Sequence, residues 1–272
     1  PPEGVAVDPA SSDAAWARML GAADLPAARD PGAGFLASAN NRPTATPYPI
    51  GYFFGAPERV RRMQDWLGAR EAVGPRDLMA LQRDVYSAAS DRLREDLLGR
   101  LEATGARGPA RSALAAWDGR YAPDSRGALV LEVLVDTLVA RLEADSALAL
   151  EAGYYRRKGR LRTVLPELLE PVAEARVAGW LRSGLERATD LLEAGETWGS
   201  VHRLRLDHLL ANIPLLGRRY RGLDLPAAGS FETLHKTAHP TLEEDDPHRS
   251  FYGSQSRHVS DLGDPDANWF VL

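Results

Sequence analysis

The chain has 272 residues, 44% apolar and 26% charged, which is enough for one large core or two modest ones. A formal charge of −5, with arginines scattered among the carboxylates, speaks against nucleic acid or an anionic membrane surface as the main partner. The absence of cysteine removes disulfides, thiolate metal sites and a cysteine nucleophile within the chain, and no apolar run reaches membrane-spanning length.

The start at Pro1, Pro2 and Glu3 shows neither a methionine nor a signal-peptide pattern, so the sequence reads as cut from something longer. Residues 1–30 are rich in Pro, Ala, Gly and Asp around one apolar knot, Trp16, Met19 and Leu20, and read as an extended approach segment. Residues 34–40 alternate as a short half-buried strand: Phe35, Ala37 and Ala39 face one side, Leu36, Ser38 and Asn40 the other. Arg42 and Pro43 end it, because proline holds its predecessor extended and cannot donate to a ladder. Asn40 and Asn41 then allow two readings. They make the turn, as asparagines commonly do, or one of them aims an uncharged NH2 donor at a pocket, as an oxyanion site requires.

After a loop over 43–49, Ala56, Pro57 and Glu58 open a helix with the stripe Val60, Met63 and Leu67, ended by Gly68. Gly74 and Pro75 start the next, in which Leu78, Leu81, Val85, Ala89, Leu93, Leu97 and Leu101 repeat at helical spacing as one long element. A short helical piece at 112–117 ends at Asp118 and Gly119. Residues 127–142 are apolar on most sides and predict a central buried helix; 171–194 predict an amphipathic one. Between them, Arg156, Arg157, Lys158, Arg160 and Arg162 sit beside two tyrosines in a run read as a solvated connector rather than an anion site.

From Thr197 the punctuation is too dense for long helices. Strands are expected at 231–238, 251–261 and 268–272, with the last two joined across 263–266. The carboxylates Glu243, Glu244, Asp245 and Asp246 offer hard-cation ligands but read as a solvated loop. Trp269, Phe270, Val271 and Leu272 form an apolar edge for which a further covering strand is expected. The fold class is therefore α+β and largely helical, in three stretches: 1–55, 56–221 and 222–272.

Few residues present themselves for chemistry. His202, Asp207 and His208 invite a metal-hydrolase reading, although histidines six apart do not share a helix face as an i, i+4 zinc pair does; the alternative is a structural, hydrogen-bonding role. No G-x-S-x-G elbow and no phosphate-cradling glycine loop occurs, and Ser254 after Gly253 falls on an expected strand.

A set of ordered motifs adds to this reading. Residues 34–43 spell GFLASANNRP, followed by Tyr48 and Pro49, then Gly55 with Glu58, Arg59 and Val60. Downstream come Leu81, Gln82, Asp84 and Ser87; Trp117, Asp118 and Gly119; Trp198, Gly199 and His202; and Gly253, Ser254, Arg257, Asp261 and Leu262. In this order and spacing the chain resembles the penicillin acylase (penicillin amidase) family of N-terminal-nucleophile hydrolases. The resemblance implies a mid-to-late part of the β chain, with the helical region inserted on strands of an αββα core that is incomplete here. It implies cleavage of an acyl side-chain amide through an acyl-enzyme on an N-terminal serine that is not in this chain; Pro1, without a hydroxyl, cannot replace it. Asn40 corresponds to the oxyanion-binding asparagine and Arg59 to the arginine that orients it. The implied partners are a companion α chain, the remaining β-chain segments and a small acylated amine, in a periplasmic or secreted setting. No cofactor is implied, and where many members carry a calcium-binding carboxylate this chain has Gly51. The competing classes are a non-catalytic helical scaffold of shared ancestry and the metal hydrolase built on His202 and His208.

Overall fold

Of the two units into which the chain divides, Pro1–Ala72 and Val73–Leu272, the first has the fewer buried side chains among the described residues. The computed structural model describes residues 21–43, 54–157, 160–214, 217–240, 248–254 and 256–271. The expected calcium position at Gly51, the Tyr48–Pro49 pair, most of the approach segment and the acidic run at 243–246 lie outside them.

In the first unit a 3-10 turn, Ala22–Asp24, precedes an irregular stretch and the helix α1, Glu58–Gly68. The strand expected at 34–40 does not form: none of its residues pairs in a ladder, and Asn40 turns into the left-handed region at φ 58°. Alternation fixes which side chains share a face but supplies no partner strand, and unpaired backbone does not stay pleated.

The second unit carries α2 (Pro75–Leu81), α3 (Ala88–Glu102), α4 (Pro109–Ala115), α5 (Arg126–Glu143), α6 (Ala149–Arg157), α7 (Leu161–Leu169), α8 (Glu174–Glu193) and the single turn α9 (Trp198–Val201). The long helix expected from 74 to 101 is broken between α2 and α3. There Tyr86 bridges to Arg120, Tyr121 N–H donates to the Val85 carbonyl, and Ser87 Oγ accepts from Ser90 N–H to cap α3. Backbone paired with another segment cannot also close helical bonds, so the leucine spacing resumes only after the interruption.

Helix α5 is the centre, with fourteen of its residues buried from Gly127 to Leu142. Helices α4, α6 and α8 pack around it. Two glycines let neighbours approach closely. A Cβ on Gly127 would lie 2.3 Å from Trp117 Cβ, and one on Gly184 of α8 would lie 2.8 Å from Leu134 Cδ2. The basic run expected as a solvated connector does not stay in solvent throughout. Its last arginine, Arg162, sits in α7, buried at 5% exposure against Glu132 of α5.

Among the described residues the strands form three separate antiparallel pairs: β1 (Arg203–Leu206) with β2 (Leu223–Pro226), β3 (Thr237–Ala238) with β4 (Tyr252–Gly253), and β5 (Arg257–Asp261) with β6 (Asp264–Val271). The strand expected over 231–238 shrinks to its last two residues, because Thr233 folds the chain back through its hydroxyl to the Ser230 and His235 carbonyls. The one expected at 251–261 divides into β4 and β5, and the last hairpin turns at Leu262 and Gly263 rather than across 263–266. Mixed helix and strand, with helix dominant, agrees with the expected α+β class.

Candidate functional site

The two adjacent asparagines part company. Asn41 makes the turn: its Oδ1 accepts from Ala39 N–H at 3.0 Å and its Nδ2 donates to the Arg42 carbonyl at 3.0 Å. Asn40 contributes only backbone. Its carbonyl accepts from Gly55 N–H at 2.6 Å, and a Cβ on Gly55 would come within 3.3 Å of that oxygen. Among the described residues its side-chain amide has no hydrogen-bond partner and is exposed. Asparagine is one of the few residues that takes φ 58° at little cost, so a residue chosen for its backbone here also presents an NH2 group.

Arg59, in the first turn of α1, reaches back across this loop. Its Nη2 donates to the Ala39 carbonyl at 3.1 Å, which holds the peptide immediately before Asn40. Ala39 is itself buried, so the bond sits at the base of the loop. The structure thus brings Asn40 and Arg59 together through backbone, not through side-chain contact.

His202, Asp207 and His208 do not converge. His202 is fully buried after α9, stacked on Trp198 at 4.6 Å; its Nδ1 donates to the His248 carbonyl at 2.6 Å and its Nε2 lies 2.9 Å from Thr237 Oγ1. Burial lowers its pKa to about 4, so it is neutral near pH 7. His208 is exposed and accepts from Leu210 N–H, while Asp207 accepts from Gly222 N–H. With both His202 nitrogens engaged inside and His208 turned outside, these residues are not a metal-ligand set.

The larger polar cluster is one that sequence reading missed. His248 places Nε2 2.8 Å from Asp136 Oδ2 and Nδ1 2.9 Å from His239 Nδ1, and His239 Nε2 lies 3.1 Å from Ser230 Oγ. Beside them Arg162 clasps both oxygens of Glu132, and Tyr121 donates to Glu132 Oε1 at 2.6 Å. Burial works against the Glu132 carboxylate, but the Arg162 charge and hydrogen bonds outweigh it and hold its pKa below the usual value. Burial, then the charge of His248, pushes His239 well below the usual imidazole range. The signal in the sequence is Glu132 and Asp136, four apart on a helix otherwise apolar: carboxylates so placed require buried partners. Among the described residues, Glu132, His239 and His248 are the group whose ligand atoms converge, within 4.8 Å of one another.

Comparison with known proteins matches residues 2–272 to the family described as Penicillin amidase. A curated relative is the penicillin acylase 2 proenzyme of Pseudomonas sp. (strain SE83), 29% identical over 284 residues. The match covers 96% of this chain and 36% of that protein, so the chain spans about a third of the length of the curated relative it matches.

Proposed function

The chain belongs to the penicillin amidase family, and from that premise we propose that it is part of an amidohydrolase that cleaves an acyl side-chain amide through an acyl-enzyme. The nucleophile is an N-terminal serine contributed by another part of the precursor. Its α-amino group, with a pKa near neutrality, takes the hydroxyl proton as the oxygen attacks the amide carbon. Negative charge gathers on the former carbonyl oxygen, where a backbone N–H and the Asn40 Nδ2 donate to it. Collapse expels the amine, which takes up the proton, and water then repeats the sequence on the ester and releases the carboxylate.

The observation that carries this reading is the division of labour between the asparagines. Asn41 alone satisfies the turn, which leaves the Asn40 amide uncommitted while Gly55 and Arg59 fix the backbone on either side of it. A preset neutral donor stabilises charge that appears only in the transition state, because it need not reorganise at that moment. Arg59 is a positioning residue. The remaining β-chain segments and a companion α chain complete the pocket and, with the C-terminal hairpin, an αββα core. The relative's description as a proenzyme supports a precursor processed into chains. No helix among the described residues is long and apolar enough to cross a membrane, which is compatible with a periplasmic or secreted enzyme.

The test uses the complete enzyme. Asn40→Ala should lower kcat by about two to three orders of magnitude, with KM little changed and folding intact. Arg59→Ala should lower kcat less, with partial rescue by Arg59→Lys. Near-normal turnover in Asn40→Ala, or turnover by the isolated 272-residue chain, overturns the assignment.

A further inference from the structure

We propose that Glu132, His239 and His248 form a buried site for a borderline transition-metal ion, Zn2+ by its donor set, that fastens β3 and β4 to α5. The proposal does not rest on amide hydrolysis. Two imidazoles and one carboxylate are the donor set that zinc accepts in many proteins.

The donors are already turned toward one another. The Nδ1 atoms of His239 and His248 face each other at 2.9 Å. A tetrahedral zinc ion with bonds of about 2.0–2.1 Å holds its nitrogens roughly 3.3–3.4 Å apart, so the rings need to part by only about 0.4 Å. Each ring is also oriented from behind. His248 Nε2 meets Asp136 Oδ2 at 2.8 Å, and His239 Nε2 meets Ser230 Oγ at 3.1 Å. The carboxylate behind His248 fixes the tautomer with its Nδ1 bare, the form that binds metal, whereas His239 Nδ1 also donates to the Pro240 carbonyl at 3.0 Å, so the metal has to displace that proton.

Glu132 is the weakest of the three. Arg162 spans both its oxygens and Tyr121 bonds Oε1, which leaves one lone-pair direction, on Oε2. Affinity therefore resides in the two nitrogens. That selects Zn2+ or Co2+ over Ca2+ and Mg2+, which need oxygen cages. Both histidines and the glutamate are fully or almost fully buried, which suits a structural ion rather than one that binds substrate.

Tag-free chain is stripped with a chelator and titrated with Zn2+, both as folded protein and during refolding, since the buried site opens slowly. One Zn2+ per chain and a melting temperature raised by several degrees are expected, with no uptake of Ca2+ or Mg2+. Co2+ should give the intense visible bands of tetrahedral coordination. His239→Ala and His248→Gln should each weaken binding by at least about a hundredfold, and Glu132→Gln by less, whereas His208→Ala and His258→Ala should leave it unchanged. If the cluster variants do not fold, the unmodified chain decides. Sub-stoichiometric Zn2+ in both protocols, or a weak six-coordinate Co2+ spectrum, overturns the proposal.

Discussion

The loop at Asn40 and the cluster around His248 are both polar, yet they are built in opposite ways. At Asn40 the backbone is held, by Gly55, Arg59 and Asn41, while the side chain has no partner among the described residues. Around His248 the side chains hold one another, from Asp136 through both rings to Ser230, and the backbone follows. The reason is burial. An exposed amide loses nothing by lacking a protein partner, because water serves it, so it stays available to a ligand. A buried imidazole or carboxylate without partners costs several kcal/mol, so each member of the inner cluster needs partners within the protein. Water serves the first region and neighbouring side chains the second.

The sharpest way to break this contrast is to remove one member of the inner cluster. Arg162→Ala leaves the Glu132 carboxylate buried and unpaired and should cost about 3–5 kcal/mol, measured by urea unfolding. Loss of less than about 1 kcal/mol would show that the cluster is not held by its ion pair. Acid should act next. His202 has a folded pKa of about 4 against 6.5 unfolded, so the unfolded chain binds the extra proton first. Its contribution is fully present above pH 6.5 and is lost as pH falls toward 4, on the order of 2–3 kcal/mol in total. Burial and the nearby Arg257 lower His235 to about 4 as well, so it steepens the same limb. His202→Gln should flatten the pH dependence of unfolding, and an unchanged slope would deny His202 that role. The smallest effect belongs to the open site. Asn40→Gly keeps φ 58° accessible and should shift stability by less than about 0.5 kcal/mol while lowering the turnover proposed for the complete enzyme by about two to three orders of magnitude. A large loss of stability would mean that Asn40 serves the fold.

Much of the helical scaffold was legible because burial on one face writes a 3.6-residue period: α1, α5 and α8 stand close to where the spacing of Val60, Leu131 and Leu185 with their neighbours puts them. The interruption before α3 was not, since Leu93, Leu97 and Leu101 keep the same spacing after it. Phe35 and Ala37 announced a face but not a partner strand. Asn40 and Arg59 were reached by resemblance, and their meeting through the Ala39 carbonyl could not be foreseen from residue types. The histidine cluster joins positions more than a hundred residues apart, from Asp136 to His248, and no local pattern encodes such a meeting. Arg162 was hidden by its company, for one cation in a run of cations looks like another of them.

The glycines of the helical core set a rule for any attempt to make this chain more heat-resistant. Replacing helical glycine with alanine is a common first resort, and Gly99 and Gly179 have the open space to accept a methyl group. Gly127 and Gly184 do not: there the missing methyl is the clearance that lets Trp117 and Leu134 close against their neighbours. An engineer who treats the four alike would gain at two positions and pry the bundle apart at the others.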